Sequence, residues 1–156
     1  MDTSQLEHLS AIRRDIIVRW LVPNHVIYVS GEGVISGAVR DWMNARVIYL
    51  MHSCSTPQIH IITDVRPITR ASLASITKPS PVLRHPRRGW IISVGASKNW
   101  MIRAILGILV WMTTINYRDC STIREALMQL RHLDSTLPAW DLLQLDLPSE
   151  REGNQA

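Results

Sequence analysis

The most hydrophobic stretch of the chain, WMIRAILGILVWMTTI at residues 100–115, limits what the chain can fold into. A helix needs about 20 apolar residues to cross the hydrocarbon core of a membrane. The uncharged run lies between Arg103 and Arg118, and its last third, from Thr113, is partly polar. The stretch is therefore too short for a membrane span, and it predicts a helix that packs in a protein core.

The composition predicts a single compact domain. Of the 156 residues, 46% are hydrophobic and 19% are charged, which is typical of globular proteins. The first fifteen residues, MDTSQLEHLSAIRRD, are polar and contain acids, unlike a secretory signal, so we expect a cytoplasmic protein. The net charge of +4 is small, and no aromatic-interleaved basic strand accompanies it, so nucleic acid is not an expected partner.

The order of apolar segments predicts an α/β fold. Two β-branched runs, residues 15–21 and 26–30, flank a Pro-Asn turn and predict an antiparallel hairpin. Further strands are predicted at residues 58–65 and 89–96. Helices are predicted after the hairpin, at 100–115 and after Ser121 as N-cap, and residues 68–78 are compatible with a short helix. We therefore expect a four- or five-stranded mixed sheet covered by helices, spanning residues 15–137 between a polar leader (1–14) and a partly disordered tail (138–156).

The predicted helix at residues 100–115 has an unusually wide apolar surface. At 100° per residue, the side expected to face the sheet contains Met101, Ala104, Ile105, Ile108, Met112 and Ile115. The polar strip is narrow and includes Arg103, Gly107 and Thr114. A second apolar side, formed by Ile102, Leu106 and Leu109, is too apolar to face water. We expect a homodimer to cover it, and the alternative cover is the tail, through Trp140, Leu142 and Leu143.

The glycine-rich segment GEGVISG follows a predicted strand and opens a helix, as dinucleotide-binding turns do. Gly31, Gly33 and Gly37 have the spacing GxGxxxG instead of GxGxxG, and the preceding strand is the second arm of a hairpin. Asp64, at the place of an acidic ribose ligand, is also farther along the chain than the usual spacing of about 20 residues. The segment is therefore interpreted as a strand-to-helix turn, and no cofactor is expected.

Arginines gather in two segments that flank predicted strands. Two follow the third strand and three lie in or next to the proline-rich loop before the fourth: Arg66, Arg70, Arg84, Arg87 and Arg88. If both segments share one edge of the sheet, their guanidinium groups form a site for an anion or an acidic partner. The alternative is a solvated basic loop.

Neither a metal site nor a catalytic site is predicted. His52, Cys54 and His60 straddle a helix end and a strand without a fourth ligand, so we expect packing and surface roles. The sequence has no GxSxG elbow and no convincing pair of acids, and we expect no enzymatic activity. Cys54 and Cys120 have no metal-like spacing and are expected to be reduced thiols.

The hairpin, the helix after SGEG, the strand ending in Asp64, the segment HPRRGWIISVGA and the helix STIREALMQLRHLD together resemble the SpoIIAA-like, STAS-type domains of bacteria. The resemblance is greatest to the stand-alone STAS/SEC14-like group and covers residues 15–137. It implies a helix-covered mixed sheet and a non-enzymatic regulatory role through protein–protein interaction. Some relatives bind nucleotides or lipids, so the alternative function is a carrier or sensor of a small apolar or anionic ligand.

The resemblance also implies a place for a phosphorylation switch. In the anti-sigma antagonists, the strand ending in an aspartate is followed by an Asp-Ser-Ser-Gly-like turn whose serine is phosphorylated. Asp64 matches the strand end, but the text that follows, VRPITRASLASI, lacks the acid and the glycine of that turn. Ser72 is the nearest acceptor by position, and this departure makes a conventional switch an unfavoured prediction.

Overall fold

The computed structural model describes residues 16–71, 80–96, 103–104, 107, 115–141 and 145–148. The strands are β1 (Ile16–Val22), β2 (Val26–Gly31), β3 (Gly33–Ile35), β4 (Ile59–Asp64), β5 (Ile68–Ala71), β6 (Arg88–Val94) and β7 (Tyr117–Cys120). The helices whose bounds lie within the described residues are α1 (Gly37–His52), a short 3-10 helix (Pro81–Arg84) and α2 (Ile123–Leu133).

The main sheet has five strands in the order β1-β2-β4-β6-β7. β1 is antiparallel to β2, and all the other neighbours are parallel, so the predicted mixed sheet and the predicted hairpin are both confirmed. The hairpin turn uses Asn24 in the left-handed region, with φ of 63°, which asparagine tolerates better than most residues. The carboxyl ends of the four parallel strands β2, β4, β6 and β7 lie together at one edge of the sheet, which is called the carboxyl edge below.

Helices cover the two faces of this sheet with separate apolar clusters. On the sheet face covered by α1, the helix residues Val47, Leu50 and Met51 pack against strand residues such as Ile27, Ile59 and Ile61. The face of α2 is closed by Ile123, Ala126, Leu127 and Leu130, which pack with Tyr28, Ile62, Ile92 and Val94.

A second, two-stranded sheet stands beside the main one. β3 pairs in parallel with β5, and the Gly33 N–H donates to the Pro67 carbonyl at 3.0 Å. The prediction of a short helix is wrong for Ile68–Ala71, because these residues pair with β3 and because Ile68 packs against the cluster formed with Ile35 and Val39. The remainder of the predicted helix lies outside the described residues.

Both helices have side-chain caps at their amino ends. Ser36 accepts a hydrogen bond from Val39 N at 3.3 Å and begins α1. The predicted cap of α2 is one residue off, because Thr122 is the N-cap and accepts from Glu125 N at 3.1 Å. Ser121 instead donates its backbone N–H to the Glu125 carboxylate at 2.8 Å, so two amide groups at this helix end are satisfied.

Few residues of the stretch 100–115 are described. Arg103 and Gly107 are helical and exposed, as the narrow polar strip predicts. Ala104 is also exposed, and its predicted position facing the sheet is wrong. The predicted interface residues Ile102, Leu106 and Leu109 lie outside the described residues. Within the part of the chain that the structure describes, no helix is long and apolar enough to cross a membrane.

The described part of the tail packs against the body of the domain. Trp140, Leu145 and Leu147 contact the apolar cluster on the face of α2, and Asp146 forms a 2.9 Å ion pair with Arg19 of β1. Ile115, at the end of the hydrophobic stretch, lies in the cluster on the opposite face. Leu142 and Leu143, the other residues of the predicted tail cover, lie outside the described residues, and that alternative stays a prediction.

Candidate functional site

The carboxyl edge of the sheet contains a buried carboxylate bound by its own neighbours. Asp64 ends β4 and is 3% exposed. Its Oδ2 accepts from the Tyr28 hydroxyl at 3.0 Å and from Arg66 Nη2 at 2.8 Å. Its Oδ1 accepts from Arg66 Nε at 2.9 Å and from the Arg66 backbone N–H at 3.1 Å. Tyr28, Asp64 and Arg66 are called the Asp64 cluster below.

A glycine makes this arrangement sterically possible. Gly95 follows β6 with φ of +83°, in the left-handed region that favours glycine. A Cβ atom at this position would collide with Cγ of Arg66. The absence of a side chain at Gly95 therefore lets the Arg66 side chain cross the end of β6 and reach Asp64.

The electrostatics of the cluster keep the Tyr28 phenol protonated. Burial, together with the nearby charge of Asp64, raises the pKa of Tyr28 to about 12, so the phenol stays protonated and donates. The guanidinium of Arg66 binds both carboxylate oxygens as a fork, the strong geometry for such pairs. Four hydrogen-bond donors therefore hold the two oxygens of the Asp64 carboxylate in place.

The five arginines predicted as one site lie at two ends of the sheet. Arg66 follows the carboxyl end of β4, and the exposed Arg70 lies in β5 beside it. Arg84, Arg87 and Arg88 lie at the amino end of β6. Because β4 and β6 are parallel, the end of one and the start of the other are separated by the length of the strands. The shared edge predicted for both segments is therefore wrong.

Two of these arginines hold the backbone at the amino end. The guanidinium of Arg87 donates to the carbonyls of Met51 and Cys54, where α1 ends. The guanidinium of Arg88 donates to the carbonyl of Leu83 in the 3-10 helix. Cations at a helix carboxyl end satisfy carbonyls that have no partner within the helix. Arg87 and Arg88 are thus tied to their own chain, whereas Arg84 is exposed.

Sequence reasoning missed a second buried polar cluster, which centres on His60. His60 is fully buried at the start of β4, its Nδ1 accepts from Trp90 N at 3.0 Å, and its Nε2 lies 2.9 Å from Asp134 Oδ2. A Cβ on Gly89 would lie 2.7 Å from the His60 Nδ1, so glycine is required there as well. The run QIHIITDV contains the signal: its two-residue period places His60 and Asp64 on one buried face, where each needs partners.

A third cluster lies on the other face of the sheet. The Ser93 hydroxyl is hydrogen-bonded to the Tyr117 hydroxyl and donates to Asp119 Oδ1 at 3.3 Å. The same carboxylate oxygen accepts from Ala96 N at 3.1 Å. Burial raises the pKa of Tyr117, although its hydrogen bond with Ser93 opposes the shift. This cluster joins β6 to β7, a strand too short and polar to stand out in the sequence.

The comparisons with known proteins agree with this architecture. No protein-family model and no curated protein matches the sequence. Among solved structures, the chain is similar to a protein of the DUF3478 family from Shewanella loihica PV-4, described as having a SpoIIAA-like fold. The TM-score is 0.53 at 16% identity, over 74% of this chain and 91% of that one. The anti-sigma factor antagonist SpoIIAA in its unphosphorylated form gives 0.53 at 11% identity, over 75% of this chain and 96% of that one.

The chain has a SpoIIAA-like fold. In sequence, the segment after Asp64 lacks the acid and the glycine of the phosphorylated turn of the anti-sigma antagonists, so a conventional switch is unfavoured. Here the residues after Asp64 turn at Val65–Ile68 and continue as β5, and the Asp64 carboxylate is bound by Arg66 of that turn. Ser72, the nearest acceptor by position, lies outside the described residues.

The glycine segment has a different structure from the predicted simple turn. Gly31 ends β2, Gly33 has φ of 75°, and β3 begins there before α1 starts at Gly37. A strand therefore separates the first glycines from the helix end that would face a pyrophosphate. Among the described residues, no three His, Cys, Asp or Glu side chains are grouped to hold a metal ion, and His60 is paired with Asp134 on the face of α2.

Proposed function

We propose that this chain is a cytoplasmic, non-enzymatic regulatory module that acts by binding protein. The observation that carries the proposal is the Asp64 cluster. In open α/β sheets, ligands and reacting groups gather at the carboxyl ends of parallel strands. Here the carboxylate at that edge is bound by an arginine and a tyrosine of the same chain, so the edge offers surface and charge instead of a reactive group.

The fold supports the same proposal. SpoIIAA, whose fold this chain shares over 96% of SpoIIAA's length, is an anti-sigma factor antagonist, a protein that regulates by contact with other proteins. The identity of 11% leaves the partner open. We therefore carry over the manner of action, contact between folded surfaces, and not the particular partner.

The first partner we propose is a second copy of this chain. Its basis is the second apolar side of residues 100–115, formed by Ile102, Leu106 and Leu109, which needs a cover. Trp140, the described residue of the alternative tail cover, already packs against the apolar cluster on the face of α2. A patch that closes on itself by two-fold pairing is the simplest remaining cover.

Native mass spectrometry of freshly purified protein tests the proposal. We expect the mass of two chains without a bound small molecule. A single chain that retains a lipid, nucleotide or other small ligand would contradict the proposal and favour the carrier function. Because the measurement reports both stoichiometry and bound mass, the two functions give different spectra from one sample.

A further inference from the structure

The described part of the tail, residues 137–141 and 145–148, contains no helix or strand and is called the strap below. Its apolar side chains pack against the buried cluster on the sheet face of α2: Leu137, Trp140, Leu145 and Leu147. Asp146 of the strap is paired with Arg19 of β1, the edge strand of the main sheet. The strap therefore crosses this face from the end of α2 to β1.

The polar anchor of the strap on β1 is exposed to water. The Asp146 Oδ2 accepts from Nη1 of Arg19 at 2.9 Å, and its backbone carbonyl accepts from Nη2 at 2.6 Å. The two side chains are 89% and 36% exposed, and an ion pair this exposed contributes little to stability. The Leu147 N–H donates to the carbonyl of Leu145 at 2.7 Å, which is a bond inside the strap. The contact with β1 therefore depends on apolar side chains that are themselves only half-buried.

Trp140 opposes the docking of the strap through its indole N–H. The Nε1 atom is buried and has no hydrogen-bond partner among the described residues. A donor that is buried without an acceptor loses its hydrogen bond to water, so this burial has a cost in free energy. The guanidinium of Arg131 lies 5.8 Å from the centre of the ring, and a guanidinium offers no acceptor. A segment with an aliphatic side chain at this place would avoid the cost.

The apolar surface beside Arg19 extends to Ile17. Arg19 pairs in register with Tyr28, and both Tyr28 and Leu21 belong to the cluster under the strap. Because side chains alternate along a strand, Ile17, Arg19 and Leu21 point to the same side of the sheet. Ile17 is 42% exposed, although it lies beside this cluster. A segment that covers Ile17 as well would bury apolar area that the strap leaves in water.

The charges of this surface favour an acid in the segment that binds it. Arg19 and Arg131 are the cations that contact the strap. Asp64 and Asp134, two carboxylates on this side of the sheet, have an arginine and a histidine of the chain as partners. Asp146 already places a carboxylate on Arg19 between two leucines. The strap thus shows which chemistry the surface accepts, an acid flanked by aliphatic side chains.

We infer that the strap is exchangeable and occupies the docking surface for a segment of a partner protein with an acid between two aliphatic residues. The partner segment takes the place of the strap, pairs its acid with Arg19 and covers Ile17. The tail is then an autoinhibitory segment that the partner displaces. The inference rests on the proposed function, to which it adds a surface and the chemical class of the partner.

A labelled peptide with the sequence of residues 137–148, LPAWDLLQLDLP, tests whether the strap exchanges. Fluorescence polarisation measures its binding to the full chain. Asp146→Ala in the full chain loosens the strap and leaves the surface intact, so it should bind the peptide about threefold more tightly than the wild type does. Asp41→Ala, at an exposed acid on α1, is the matched control and should bind as the wild type does. In isotope-labelled protein, the indole N–H resonance of Trp140 should shift as the peptide displaces the strap.

A second peptide tests the charge at Arg19. It has lysine at the position of Asp146 and is otherwise the same. The wild type should bind the first peptide about fivefold more tightly than the second, and Arg19→Glu should reverse this preference. Both peptides compete with the same strap, so the ratio of their affinities does not depend on how firmly the strap is held. Arg124→Glu, at an exposed position of α2, should leave the preference unchanged.

Four outcomes would overturn the inference, once circular dichroism has shown that each variant is folded. The first peptide may fail to bind the Asp146→Ala variant at millimolar concentration, or it binds this variant and Asp41→Ala equally. The indole resonance of Trp140 stays in place, or Arg19→Glu keeps the wild-type preference. The tail is then a fixed part of the domain. A chain that still forms a dimer in native mass spectrometry would retain the proposed function without this surface.

Discussion

The His60 Nε2 lies 2.9 Å from Oδ2 of Asp134, and this contact joins the start of β4 to the end of α2. Because Nδ1 accepts the Trp90 backbone N–H, the ring is neutral and its Nε2 proton is donated to Asp134. The other oxygen of Asp134 accepts from the backbone and hydroxyl of Thr136, at 2.9 and 2.6 Å. One imidazole therefore connects β4, β6 and the turn that leads to the tail.

The stability of the fold should decrease as the medium is acidified below about pH 6.5. Burial lowers the pKa of His60 below the ordinary value of 6.5, although the hydrogen bond to Asp134 opposes the shift. Between the two pKa values of His60, in the unfolded and the folded chain, the unfolded chain binds more protons. The free energy of unfolding therefore decreases as the pH is lowered through this range. Urea unfolding between about pH 7.5 and 5.5 measures this slope. His60→Gln should flatten it, and His132→Gln, at an exposed position, should not.

Gly89→Ala should destabilise the protein through the same histidine. The added Cβ would lie 2.7 Å from the His60 Nδ1, which must shift and weaken its bonds to Trp90 and Asp134. We expect a loss of about 2 kcal/mol in the free energy of unfolding. Gly37→Ala is the matched control, because nothing lies within 4 Å of its added Cβ. Equal effects of the two substitutions would show that the imidazole is not held as described.

Arg66→Ala should destabilise the protein much more than Arg70→Ala. Without Arg66, the buried Asp64 keeps the Tyr28 hydroxyl as a side-chain donor but loses its cation. The expected loss is about 2 kcal/mol, reduced by solvent reaching the partly exposed arginine. Arg70 is exposed, and its replacement should change stability by no more than about 0.5 kcal/mol. If thermal unfolding gives the two variants the same stability, Arg66 does not hold the buried Asp64 carboxylate as described above.

Arg87→Ala should lower stability by about 1 to 2 kcal/mol, because the carbonyls of Met51 and Cys54 lose their donor at the end of α1. Arg84→Ala, at an exposed position in the same loop, should have little effect. Chemical denaturation of the two variants measures the difference. A stable Arg87→Ala variant that has lost affinity for an acidic partner would instead restore the binding role predicted from the sequence.

The elements with strong periodicity could be predicted from the sequence. The hairpin, α1, β4, β6 and α2 all have long apolar patterns, and each is observed. β7 and β5 could not be predicted in the same way. β7 contains Arg118 and Asp119 within four residues, and its pairing depends on β6, which is distant in sequence. The segment of β5 is equally compatible with a helix until β3 is placed beside it.

The candidate site shows the same limit. The sequence identified Asp64 and Arg66 as residues of interest, but it could not show that they bind each other across Gly95. It grouped Arg66 with Arg87 and Arg88, because composition reveals clusters of charge and not the strand end at which each one lies. The partners of His60 come from β6 and from the end of α2, so a pattern within β4 predicts its burial but not its hydrogen bonds.

Association of the chain with itself is the central claim, and sedimentation equilibrium of wild-type protein and two variants tests it most directly. We predict a wild-type dimer, a folded monomer for Leu106→Glu and a dimer for Arg103→Glu, whose site is an exposed helical position. Circular dichroism confirms that each variant is folded. A wild-type protein that remains monomeric at every concentration, or a Leu106→Glu variant that still dimerises, would contradict this account.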